Sequence, residues 1–98
     1  MKTIKISGEV SFDFSTAKAL ADSVAAEVVG EHATCLSWYD KPRDYESPAH
    51  ASECHDDSCP IPGYVEYAES RGASLRVDVE EGTYVFCYRS IAEFVGEE

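Results

Sequence analysis

Residues 64–88 read YVEYAESRGASLRVDVEEGTYVFCY, and the fold of the chain turns on how the first eight are taken. As a strand, Tyr64–Arg71 folds back at Ser70-Arg71-Gly72, a three-residue hairpin loop with glycine where the left-handed conformation is required. Tyr67 then faces Leu75 and Val65 faces Val77, while on the other face Glu66 meets Arg76 in an opposite-charge cross-strand pair. As a helix, the same residues end at Gly72. Glu66, Ala68 and Glu69 suit a helix, but the Glu66–Arg76 register is then left without a role. A second turn at Glu81-Gly82 pairs Val79 with Tyr84, Val77 with Phe86 and Leu75 with Tyr88. Both turns select the same buried face, so a three-strand meander is the expected arrangement.

Working back toward the N-terminus, residues 2–12 have a period of two. Ile4, Ile6, Val10 and Phe12 fall on one face, and Lys5, Ser7, Glu9 and Ser11 on the other, the pattern of a strand with one buried and one wet side. Asp13 or Ser15 can cap the helix that follows. Its apolar set, Ala17, Leu20, Ala21, Val24 and Val28, has the spacing of one helical face, and Gly30 suits the position just past its end. A second strand is expected at 33–39, ambiguous in face because Cys35, Leu36 and Trp38 are all apolar. Residues 40–62 form a long loop holding all four prolines, interrupted at most by a helical turn opened by Ser47-Pro48. After the last strand, Ser90–Glu93 resembles a capping box and predicts a short C-terminal helix. The order is β-α-β-loop-β-β-β with that last helix. It predicts a single α+β domain over residues 1–98: a two-layer sandwich, mainly antiparallel, with one long helix on one face.

Composition narrows the function classes. Eight basic and nineteen acidic residues give a net charge of -11, which repels nucleic acid and anionic membranes; neither is an expected partner. No apolar run approaches a membrane span, and the N-terminus lacks the apolar core of a secretory signal. The expectation is a cytoplasmic protein with reduced thiols.

The residues with chemistry concentrate at SPAHASECHDDSC, residues 47–59. A helical turn from Pro48 sets His50 and Cys54 at i and i+4 on one side, with Cys59 five residues on. Imidazole and thiolate are zinc ligands, so His50, Cys54 and Cys59 are the candidate metal set and zinc the candidate cofactor. A Cys54–Cys59 redox pair and a zinc enzyme with an open coordination position are the alternatives. Thiol catalysis is disfavoured by Glu53, Asp56 and Asp57, whose charges raise a neighbouring thiol pKa. A plain loop without site chemistry stands beside all of these. Trp38 and Tyr67 are expected in the core. Tyr39, Asp40, Tyr45 and Tyr64, at the two ends of the loop, are the candidate residues for binding a protein or a small molecule. The phosphate-cradling glycine loop and the HExxH and GxSxG motifs do not occur in the sequence.

The segments Ser37-Trp-Tyr-Asp40, Tyr67-Ala-Glu-Ser-Arg-Gly72 and Tyr84-Val-Phe-Cys-Tyr88, with the Ser47-Pro48 loop between them, resemble a small one-domain family of anaerobic bacteria and archaea. That family has no assigned activity. The resemblance implies a cytoplasmic one-domain protein and no catalytic residues. The reading that follows is a non-enzymatic binding or accessory module whose loop carries its specificity.

Overall fold

A computed structural model describes residues 1–9, 11–30, 32–47 and 63–90. The elements run β1 (Lys2–Ile6), α1 (Phe14–Val28), β2 (Ala33–Asp40), β3 (Tyr45–Ser47), α2 (Gly63–Ser70), β4 (Leu75–Val79) and β5 (Tyr84–Ser90). The five strands form one mixed sheet in the order β1-β4-β5-β2-β3. Three neighbouring pairs are antiparallel, and β1 lies parallel to β4. The expectation of an α+β fold with a mainly antiparallel sheet holds; the parallel edge pair and the strand β3, within the expected loop, were not foreseen, and the less favoured helical reading of 64–71 is the one that forms. The expected helix after Ser90 lies outside the described residues.

The hairpin between β4 and β5 has the expected register: Leu75 opposite Tyr88, Val77 opposite Phe86, Val79 opposite Tyr84. The strand expected at 64–71 is instead the helix α2. Its buried residues, Tyr64, Val65 and Ala68, follow helical rather than alternating spacing. Gly72 does adopt the left-handed conformation, at φ 84°, but as the residue that ends a helix. The amide of Ala73 returns to the carbonyl of Ala68 at 3.0 Å. Arg76 takes its partner from its own strand, with Nε 2.7 Å from Oδ1 of Asp78, so the Glu66 pairing is neither formed nor needed.

The two described helices lie on opposite faces of the sheet, so the described residues form three layers. On one face α1 packs over Leu75, Val77, Val79, Tyr84, Phe86 and Tyr88, joined by Ile4, Ile6 and Trp38. On the other, α2 packs over Val85 and Cys87, with Leu36 and Tyr39 beside them. The alternation of β5 between Tyr84, Phe86, Tyr88 and Val85, Cys87 thus serves two cores.

Asp13 caps α1, accepting the amide of Thr16 at 2.7 Å, and Gly30 lies beyond its end at φ 124°. The buried stripe of α1 is Ala17, Ala21 and Ala25, all fully covered, whereas Leu20 and Val28 are exposed. Small side chains let the helix axis lie close to a sheet already filled by Phe86 and Tyr88, so the larger apolar residues turn outward.

The ambiguity of the second strand has a structural cause. The β2–β5 register shifts between Cys35 and Ser37. This β-bulge makes Leu36 an extra residue. Cys35 and Trp38 therefore both reach the α1 side, while Leu36 and Tyr39 serve the α2 side.

Candidate functional site

The four residues expected to bind a partner divide between the two faces of the sheet. Tyr39 and Tyr64 meet on the α2 side, their rings parallel with centroids 5.1 Å apart. The hydroxyl of Ser37 donates to the carbonyl of Tyr64 at 2.7 Å, fastening the first turn of α2 to the sheet. Burial pushes the Tyr64 phenol up to about 12, so it remains protonated and able to donate. Beside it stands the Arg76–Asp78 ion pair. Tyr64 is buried, however, and it joins α2 to the sheet rather than offering a surface.

Asp40 and Tyr45 lie on the α1 side, at the β2–β3 hairpin, where Asp40 pairs with Tyr45 across the two strands. Asp40 is only 1% exposed, so this candidate binding residue lies beneath the hairpin surface. Its carboxylate accepts Nε–H of Arg43 at 2.5 Å. The turn that allows this bends through Asp44 at φ 50°, a conformation that aspartate tolerates better than most residues. The guanidinium of Arg43 lies 5.2 Å from the Phe14 ring centroid and 6.0 Å from that of Tyr45. Tyr45 in turn stacks on Trp38 at 5.3 Å, and Trp38 meets the Phe14 ring at 4.8 Å, tilted by 55°. Tyr45 is half exposed, and the Arg43 side chain is 60% exposed.

Chemically, this hairpin presents a flat aromatic pair and a guanidinium whose rotamers are fixed from beneath. Arginine, tyrosine and tryptophan are the residue types that dominate binding energy at protein interfaces. Sequence reasoning had Asp40 and Tyr45 but missed Arg43 and Phe14, and assigned Trp38 to the core alone. The signal for Arg43 was its position three residues after Asp40, beyond a proline.

The candidate zinc ligands His50, Cys54 and Cys59 lie outside the described residues. Among the described residues, no group of three or more His, Cys, Asp or Glu is placed to hold a metal ion. The two described cysteines are free and serve opposite cores. Cys87 is fully buried under α2. Cys35 borders a cleft of about 450 Å³ between α1 and β2, lined also by Lys18, Asp22 and Tyr88. Tyr88 donates its hydroxyl to Asp22 at 2.6 Å, and Lys18 bridges the same carboxylate at 2.7 Å. Burial raises both thiols, Cys35 to about 11, which leaves little thiolate at neutral pH. No described helix is long and apolar enough to cross a membrane.

Among solved structures, the chain is similar to a novel protein, AF1514, from Archeoglobus fulgidus DSM 4304. The TM-score is 0.71 at 23% sequence identity, covering 92% of this chain and 94% of that one. At that identity the likeness shows a shared fold. No curated protein matches the chain. A family model described as a domain of unknown function, DUF5619, matches residues 1–88, and the chain belongs to that family.

Proposed function

We propose that this domain is a non-enzymatic binding module whose specificity resides in residues 40–62 and whose partner is a protein. The observation that supports this is the Asp40-held Arg43 above the stacked Trp38 and Tyr45. Rigid aromatic and guanidinium groups lose little conformational entropy on binding, and these stand at the start of the long segment. An acidic protein of net charge -11 favours a partner with a basic surface, which complementary potential would steer toward it. The test is capture from a lysate of the source cells with immobilised parent, Tyr45→Ala and Lys18→Ala proteins. The reading expects a protein retained by the parent and by Lys18→Ala but lost with Tyr45→Ala. Equal capture by all three removes the hairpin as the site.

Within the same segment, His50, Cys54 and Cys59 are the residues that would hold zinc, and the metal would supply order to the segment rather than a reacting centre. Elemental analysis and thiol titration of protein purified without a metal-binding tag decide this. Stoichiometric zinc that is lost on Cys54→Ser supports it. Four free thiols and no metal remove both the zinc and the redox alternatives.

A further inference from the structure

A second site lies away from the hairpin, at the other edge of the sheet. The helix α2 packs on β2 and β5, whereas the strands β1 and β4 bring Lys5 and Asp78 together as register partners on that same face. Where β1 and β4 end, a cleft of about 490 Å³ is lined by Lys5, Ile6, Ser7, Asp78 and Glu81. The carboxyl ends of parallel strands are where open sheets most often receive ligands, and the volume is within the range of small-molecule sites.

The wall that carries Glu81 is held in an unusual backbone conformation. Glu80 and Glu81 are both left-handed, at φ 53° and 57°, ahead of Gly82 at φ 91°. Two successive non-glycine residues there persist only because neighbours impose it. The amide of Glu80 donates to the carbonyl of Ile6 at 2.8 Å, and its carbonyl accepts from Thr83. Its carboxylate accepts the amide of Phe12. Glu80 is thus tied to the exit of β1, and Glu81 is carried to the rim of the cleft.

The charges in the cleft select a ligand class. Asp78 is neutralised by Arg76, which leaves the ammonium of Lys5 and the carboxylate of Glu81 as the exposed charges of the lining. Neither has an ion-pair partner among the described residues. An anion would meet Glu81 and the acidic surface, and a simple cation would meet Lys5. A molecule carrying both charges satisfies both walls. We propose that this cleft binds a small zwitterion of the α-amino-acid class, its carboxylate toward Lys5, its ammonium toward Glu81, and the Ser7 hydroxyl between them.

The experiment is ligand-observed NMR on the full chain with each of the common α-amino acids, followed by titration calorimetry. Any amino acid that binds is then compared with the matching amine lacking the carboxylate and the matching acid lacking the amine. The expected result is binding that requires both groups and falls about tenfold or more in Lys5→Gln and in Glu81→Gln, the loss of one charge-assisted contact each. Lys18→Gln, on α1 over the opposite face of the sheet, is expected to bind as the parent does. Both test positions are exposed, and the analogue comparison does not depend on any variant. The proposal is overturned if no amino acid binds, if either analogue binds as well as the zwitterion, or if both variants retain full affinity.

Discussion

Asp40, almost wholly buried at the end of β2, accepts the Nε–H of Arg43 at 2.5 Å, although most of the Arg43 side chain lies in solvent. The two are not equal partners. Removing Arg43 strands a buried carboxylate, whereas replacing Asp40 by asparagine releases a guanidinium that water can solvate. Arg43→Ala is therefore expected to cost about 1–3 kcal/mol, measured by urea unfolding. In an Asp40→Asn background the same change should cost less, because no buried charge is left behind. Equal costs in the two backgrounds would show that the pair is not coupled.

The alanine seam of α1 makes a second prediction, with effects of very different size at adjacent positions. Ala21→Leu places a large side chain against Val77 and Phe86 in a filled layer and should lower stability by about 1–3 kcal/mol. Leu20→Ala, at an exposed position, should change it by no more than about 0.5 kcal/mol. Thermal unfolding of the two variants checks this. If Leu20→Ala is the more damaging, the helix faces the sheet differently.

That pair of residues also shows where sequence legibility ends. The 3.6-residue period of 14–28 locates the helix but only roughly its buried stripe, because Leu20 and Ala21, about 100° apart on the wheel, stand at the two edges of the apolar arc. Hydropathy favours leucine, whereas close packing favours alanine. The β4–β5 register was fully legible, since Glu81-Gly82 fixes the turn and the alternation on both sides agrees. Residues 64–71 were not, because Val65 and Tyr67 alternate while Tyr64, Val65 and Ala68 also make a helical stripe. A left-handed Gly72 serves either ending. The contact that settles it, Ser37 with Tyr64, joins residues far apart in sequence. The parallel pairing of β1 with β4 left no trace in local pattern, for alternation says which face is buried and not which strand lies beside it. At the hairpin, Asp40 and Tyr45 were legible as residue types, but their coupling through Arg43 and Phe14 required the tertiary fold.

A third prediction concerns pH. The Cys35 thiol is raised from 9.0 to about 11 and the Tyr64 phenol from 10.0 to about 12, each chiefly by burial. In both cases the folded state favours the neutral form. Below pH 9 both groups are neutral whether the chain is folded or unfolded, and their contribution is fully present. As pH rises past 9 and 10 the unfolded chain loses its protons first. Stability therefore falls progressively until about pH 12. Urea midpoints followed from pH 8 to 11 should decline over that window, and a flat profile would refute the assignment. In a Cys54→Ser, Cys59→Ser variant, the remaining two thiols should react slowly with a disulfide reagent at pH 8 and rapidly in urea.

The placement of β1 bears on how the chain assembles. Among the described residues its strand partner is β4 alone, and the register runs from Lys2 with Leu75 to Ile6 with Val79. On the ribosome, β1 can thus join the sheet only once synthesis has passed Val79. At about 5–20 residues per second, β1 waits for seconds as an unpaired strand. Its outward face carries Lys5, and Lys2 stands at its start, the charges that discourage edge-to-edge association. The β2–β3 and β4–β5 hairpins join segments close in sequence, whereas β1 meets β4 across most of the domain; its docking therefore carries the larger loop-closure cost, and it is this docking that completes the cleft at the sheet edge.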